Sequence, residues 1–248
     1  MTDMRVHILT IFPQMIEHAL SYGVIGRAIE AGILEATAVD LRDYTHDSHR
    51  TTDDTPCGGG GGMVMKPEPV AEALSQLASL GRPERVILTD PQGERFTHDV
   101  ARELAECTHI AIICGRYEGA DERIRTMLAT EAYSIGDYVL SGGELPALIM
   151  VDAMARHLPG VLGCEEAAEQ DSFAEGLLDF PQYTRPRSFM GTEVPRVLLD
   201  GDGTAIARWR QRQRLERTRR WRADVWAHRK VTMDDLRMLA APETSARV

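Results

Sequence analysis

The feature that most constrains the fold is a junction repeated three times, in which an apolar, β-rich run ends and a glycine-containing loop opens at once. Residues 85–89 run into Asp90-Pro91-Gln92-Gly93, and residues 109–114 run into Gly115-Arg116-Tyr117-Glu118-Gly119. The stretch 134–145, Ser-Ile-Gly-Asp-Tyr-Val-Leu-Ser-Gly-Gly-Glu-Leu, places a short β-type run, 138–140, between Gly136 and the pair Gly142-Gly143. Helix patterns follow over 97–107, 120–128 and 144–158, the last with an amphipathic look. Upstream, 4–10 and 33–41 read as strands, 12–30 as one or two helices interrupted around Gly23, and 69–80 as a helix. Strand alternating with helix predicts an α/β fold with a mostly parallel sheet. Ligands of open parallel sheets gather at the carboxyl ends of the strands. Three loops opening there therefore predict one cradle, with glycines letting the backbone come close and Pro146 starting a helix where no amide donor is needed.

With 248 residues, 43% of them hydrophobic, the chain can bury a proper core. No apolar run approaches a membrane span, and no basic region precedes an apolar core at the start, so a cytoplasmic location is expected. Cys57, Cys107, Cys114 and Cys164 lack paired spacing, which supports neither a disulfide framework nor a zinc site. The net charge of -10 is unevenly spread: between Ala205 and Lys230, ten Lys or Arg face two acids, Glu216 and Asp224. A basic segment on an acidic body predicts a surface for phosphate. Helices are expected over 206–226 and 234–241, with Arg208, Trp209, Arg212, Arg219, Arg220 and Trp221 interleaving guanidinium groups with indoles; such tryptophans serve either as core or as stacking platforms.

Cys57 is followed by five glycines and Met63. The run lacks the Gly-Lys-Ser/Thr of a phosphate loop, and Met63 stands where the dinucleotide pattern needs glycine. A loop that closes on substrate and a plain flexible loop both remain open. Residues 161–195 are long and irregular, as in a linker or a lid. Arg156 stands four residues after Asp152 on the 144–158 helix, a spacing that also suits a surface ion pair.

Taken together, Thr45-His46-Asp47, the glycine loop before Met63, Pro91-Gln92-Gly93, residues 114–119, 134–145, Pro159-Gly160-Val161-Leu162-Gly163, residues 171–178, Tyr183-Thr184-Arg185-Pro186 and Trp209-Arg210 resemble the bacterial tRNA (guanine-N1)-methyltransferases, the TrmD family of the SPOUT class. The resemblance runs almost from end to end. It implies a knotted methyltransferase domain over 1–162 binding S-adenosylmethionine, a linker or lid over 163–190, and a small helical tRNA-binding domain over 191–248. It also implies a homodimer with no membrane association, acting on N1 of guanosine 37 in the anticodon stem-loop, with magnesium associated with the reaction. Cofactor contacts are expected at Thr89, Pro91, Gly115, Tyr117, Glu118, Ser134, Ile135, Gly136, Asp137, Tyr138, Val139, Leu140, Gly142, Gly143 and Pro146. Substrate contacts are expected at Gly59, Gly60, Ser172, Arg185, Arg210 and Arg214. The chain departs from the family pattern at Cys57, where an aromatic residue is usual, at Gly61, where Pro or Ala often stands, at Asp90, where Ser is common, and at Gly201-Asp202-Gly203, which lacks an Asn-His pair.

Methyl transfer to a ring nitrogen asks the protein mainly to position donor and acceptor. N1 of guanine carries a proton, so a base is needed, and the resemblance points to Asp171, with Arg156 stabilising charge on the guanine O6 and Glu118 assisting. Ribose methylation within the same class, or RNA binding without catalysis, are the competing expectations; the first has no need of the Asp171 segment and the second no need of the donor.

Overall fold

The computed structural model describes residues 4–163 and 171–241. The chain divides into two compact units, Met1–Glu165 and Glu166–Val248.

In the first unit, β1 (Met4–Thr10), β2 (Leu34–Asp40), β5 (Arg85–Arg95), β6 (His109–Cys114) and β7 (Glu131–Ser134) form one sheet in the order β2-β1-β6-β5-β7. Every pairing in it is parallel. Strand β6, His-Ile-Ala-Ile-Ile-Cys, is buried along its whole length, as the apolar run from Ile110 to Cys114 requires of a central strand covered on both faces. Helices α1 (Pro13–Leu20), α2 (Gly23–Glu30), α4 (His98–Leu104) and α5 (Glu144–Ala155) cover one face, where Val6, Ile8, Ile16, Ile87, Ile112, Met150 and Met154 share a core. Helix α3 (Pro67–Leu80) covers the other, with Leu9, Leu41, Val70, Leu77, Leu88 and Ile113. Two short strands, β3 (Asp53–Asp54) and β4 (Val64–Met65), pair as an antiparallel ribbon at the base of the glycine loop.

Several local expectations change. Strand β5 does not stop at Thr89: its chain bulges through 90–93 and resumes pairing with β7 at Glu94 and Arg95. Gly93 permits this, since a Cβ there would lie 2.5 Å from the backbone of Ala132 and Tyr133. The third strand is Glu131–Ser134, while 138–140 is exposed loop. The expected helix over 120–128 is a single π-helical turn, Ile124–Leu128. Helix α5 is not amphipathic: it is apolar nearly all round, burying Ala147, Met150, Val151 and Met154 while leaving Leu145 and Ile149 each 48% exposed.

The second unit contains the hairpin β8 (Ser188–Phe189) and β9 (Thr192–Glu193), and helices α6 (Gly203–Trp221), α7 (Ala223–His228) and α8 (Met233–Ala240). The single expected helix over 206–226 is broken at Arg222. Asp202, one of the departures, caps α6 by accepting from Thr204 N and Ala205 N at 3.0 and 3.1 Å. Thr232 and Asp235 form a reciprocal capping box on α8.

Candidate functional site

Because β6, β5 and β7 are neighbours in a parallel sheet, the loops after Cys114, Thr89 and Ser134 meet at one rim. There they line one open cleft of about 120 Å³. Thr89, Asp90 and Pro91 contribute from the first loop, residues 115–120 from the second, and Ser134, Ile135, Gly136, residues 138–143 and Pro146 from the third. Fourteen of the fifteen expected cofactor residues are thereby brought together. Asp137 is the exception: its neighbours Gly136 and Tyr138 line the cleft, but Asp137 is exposed and outside the wall.

The wall is fastened at Thr89, whose Oγ1 donates to Ile113 O at 3.1 Å and accepts from Gly115 N at 3.2 Å. Gly143 N donates to Gly115 O at 2.8 Å. A Cβ on Gly143 would overlap Thr89 Oγ1 and lie 2.8 Å from Cys114 Cα and Gly115 N, and one on Gly115 would lie 2.7 Å from Thr89 O. The chain thus leaves edge strand β7 and comes back past the ends of β5 and β6 before entering α5. Ser134 Oγ donates to Gly136 O at 3.1 Å, and Tyr138 N to the same carbonyl at 2.9 Å. Tyr138 and Val139 stay exposed at the rim, offering apolar cover beside bare backbone.

Sequence reasoning missed a pair of charges under this wall. Glu144, at the start of α5, is 1% exposed; its Oε1 accepts from Thr10 Oγ1 at 2.9 Å and its Oε2 lies 3.4 Å from Arg116 Nη1. The Arg116 guanidinium also sits 4.6 Å from the centre of the Phe12 ring. The available signal was an acid opening a helix that is otherwise apolar as far as Asp152, since a buried carboxylate needs a partner. Burial and the neighbouring Glu144 push the Cys114 thiol well above its ordinary value, so Cys114 stays protonated. Asp90 also lines the cleft; its carboxylate pairs with Arg125 at 3.0 Å and accepts from Gln92 N at 2.7 Å.

The glycine loop is attached to the same wall. Glu118 N donates to Met63 O at 2.9 Å, Met65 N to Gly119 O at 3.0 Å and Asp121 N to Met65 O at 3.0 Å. Gly62 packs on the Glu118 side chain. Tyr117 has a left-handed backbone, φ 65°, and its hydroxyl is 3.5 Å from Thr52 Oγ1; burial raises its pKa. Gly59 and Gly60 have φ of 83° and 125°, with Gly59 N donating to Pro56 O at 3.2 Å. Arg156 is the C-cap of α5, its amide donating to Asp152 O at 3.4 Å. Among the described residues no group of three or more His, Cys, Asp or Glu could hold a metal, so no residue is assigned to magnesium.

The remaining expected residues belong to the second unit. Asp171 is half-buried and its carbonyl accepts from Ala174 N at 3.3 Å. Ser172 Oγ accepts from Asp179 N at 2.9 Å, and Leu178 N donates to Thr218 Oγ1 on α6 at 2.8 Å. With Leu177 fully buried, residues 172–180 fold onto α6. The Cys164–Gln170 part of the expected linker lies outside the described residues. Arg214 is 9% exposed and its Nη1 bonds Glu175 Oε2 at 2.7 Å. Arg212 is likewise engaged, with Glu216 at 2.7 Å. Arg208, Arg210, Arg219 and Arg220 are exposed, Arg210 lying 4.6 Å from the Phe180 ring centre; Arg185 is exposed too. Trp209 is half-buried, 6.3 Å from Tyr183, whereas Trp221 is exposed beneath Arg217.

Residues 4–228 match the family model of the tRNA (Guanine-1)-methyltransferase TrmD. A protein of Moorella thermoacetica called tRNA (guanine-N(1)-)-methyltransferase is 53% identical over 238 residues, 95% of either chain. Proteins with the same description from Geobacter sulfurreducens and Lacticaseibacillus paracasei are 49% identical over 240 residues and 52% over 223. These alignments cover 97% and 90% of this chain, and 98% and 87% of the relatives.

Proposed function

The chain belongs to the TrmD family of tRNA (guanine-N1)-methyltransferases, and from that premise we propose that it moves the methyl group of S-adenosylmethionine to N1 of guanosine 37, beside the anticodon. What carries this is the cleft, walled by three carboxyl-end loops in which Gly115, Gly142 and Gly143 admit no side chain. The donor, when bound there, supplies an electrophilic methyl on sulfur. Thr89, Pro91, Gly115, residues 134–136 and 138–140, Gly142, Gly143 and Pro146 hold it, with Tyr117 and Glu118 on the side facing the glycine loop. Asp171 takes the N1 proton, and Arg156 stabilises charge gathering on O6. Gly59 and Gly60 border the target base.

Arg210 and Arg185, together with Ser172, contact the RNA, and the other exposed arginines of α6 add phosphate contacts; Arg214, buried against Glu175, is the least accessible of the expected contacts. Two copies form the active enzyme, an arrangement supported by the half-exposed Leu145 and Ile149 one turn apart on α5. The return of the chain from β7 past Gly143 supports a knotted carboxyl half of the first unit. Among the described residues no helix is long and apolar enough to cross a membrane, and a tRNA substrate supports a cytoplasmic location.

The test is incubation with labelled S-adenosylmethionine and transcripts carrying guanosine or adenosine at position 37, followed by nucleoside analysis. Label is expected in 1-methylguanosine from the guanosine transcript alone. Label in a ribose methyl, or equal transfer to both transcripts, would overturn the proposal. In single-turnover assays Asp171→Asn should slow methyl transfer by roughly 10²–10⁴-fold, with donor and tRNA affinities changed far less; a rate near wild type would remove Asp171 as the base.

A further inference from the structure

Helix α5 is apolar on nearly every side, yet it opens with a carboxylate that is 1% exposed. Burying an ion pair contributes little net stability, and a well-packed apolar residue does at least as well, so a charge kept in such a place is better explained by the arrangement it specifies. Here the arrangement is definite. Glu144 joins Thr10, at the end of β1, to Arg116, in the loop after β6, through its two oxygens. The backbone of Arg116 bridges that of Gly142, and a Cβ on Gly142 would strike both Arg116 Nη1 and Glu144 Oε2. Arg116 is flanked in sequence by Gly115 and Tyr117, all three lining the cleft, as do Gly142 and Gly143. One buried carboxylate therefore ties two of the three walls to each other and to the end of β1. Among the described residues that line the cleft, Arg116 is also the only cation.

We propose that Glu144 is a positioning residue for the donor cleft: through Arg116 it holds the 115–119 loop against the 141–143 turn, keeping the site in its binding-competent form before any ligand arrives. The inference rests on the donor reading given above. Affinity for a ligand scales with the fraction of protein that is competent, so if loss of the charge leaves about one molecule in ten competent, the dissociation constant rises about tenfold. The chemical step at saturating donor is then little changed, because bound molecules are all in the competent form.

The experiment is calorimetric titration of S-adenosylmethionine into wild-type protein, Glu144→Gln, Arg116→Gln and the double variant, each with a thermal melt. Gln keeps the size of Glu144 and its acceptor for Thr10 but removes the charge. Expected are a dissociation constant raised about tenfold in each single variant and a double variant no weaker than the weaker single one, because the two residues act as a unit. Arg116→Lys should recover part of the loss, and single-turnover rates at saturating donor should stay within about threefold of wild type for Glu144→Gln. An affinity within twofold of wild type in Glu144→Gln overturns the inference. So does a loss that follows the melt and vanishes on cooling well below the transition, which is what a merely structural role predicts. Wild-type protein that takes up no S-adenosylmethionine would refute the donor reading and this inference with it, whereas wild-type binding beside an unaffected Glu144→Gln refutes the inference alone.

Discussion

At the cleft wall, Gly115, Gly142 and Gly143 stand where any side chain would meet backbone or the Arg116–Glu144 pair, whereas a Cβ added to Gly58 or Gly59, in the loop that follows Cys57, would have nothing within 4 Å. Both regions are rich in the same residue and face the same end of the sheet. In the wall, glycine is there for contact, since three chain segments pass closer than a methyl group allows. In the loop it is there for conformation: Gly58, Gly59 and Gly60 have φ of 90°, 83° and 125°, which L side chains rarely adopt. The longer glycine run is therefore the less crowded one, and its length says little about how near a ligand comes.

Gly143→Ala tests the contact side most severely. Two of the atoms it would crowd are backbone, Cys114 Cα and Gly115 N at 2.8 Å, and cannot rotate away. Overpacking of this kind costs about 3 kcal/mol, a fall in Tm on the order of 10 °C, and donor affinity should drop with it. A melt unchanged from wild type would mean that the wall yields and the contrast with the loop is false. Gly142→Val is expected to be milder, because its Cβ meets the Arg116 and Glu144 side chains, including Arg116 Cδ at 2.7 Å, and side chains can move. Calorimetry should show donor affinity lowered roughly tenfold, about 1.4 kcal/mol, in a protein that still folds. Equal affinity would take the donor away from this turn.

Gly62 belongs to both classes, with φ 81° and a Cβ position 2.5 Å from Glu118 Oε1. Gly62→Ala should cost about 1 kcal/mol for the backbone and also push Glu118 aside. Making the change again in a Glu118→Ala background separates the two: the effect on donor binding should vanish there, while the cost in Tm remains. Persistence of the binding effect would show that the loop reaches the cleft by some route other than Glu118.

The contrast also explains what the sequence could and could not disclose. The central strand 109–114 is legible because a buried parallel strand is written as an apolar run, and the strand 4–10 because buried Met4, Val6 and Ile8 alternate with Arg5 and His7. Fourteen cleft residues are legible because loops after adjacent parallel strands have to meet at one rim. Strand β5 reads too short because Asp-Pro-Gln-Gly has the composition of a turn, and only the later pairing of Glu94 and Arg95 with β7 makes it a bulge. The 138–140 run resembles a strand in its β-branched and aromatic content, yet none of the described strands pairs with it. Arg116 with Glu144, and Arg214 with Glu175, are hidden for one reason: each pair lies 28 or 39 residues apart in sequence, and nothing local announces the partner.

The smallest expected effect is at Gly61, and it separates conformation from contact most cleanly. Among Gly58 to Gly62 it is the residue without a left-handed φ, and nothing lies within 4 Å of its Cβ position. Neither reason for glycine therefore applies, which fits the Pro or Ala that the family resemblance places there. Gly61→Ala should stabilise the protein by about 0.4–1 kcal/mol, because alanine has fewer unfolded conformations to lose. Gly58→Ala, equally free of contacts but at φ 90°, should instead cost about 1 kcal/mol. Chemical denaturation with matched m-values measures both. Opposite signs at the two positions establish backbone conformation as what holds glycine in this loop; a Gly61→Ala protein less stable than wild type would show that position 61 is constrained by a contact, as the wall is.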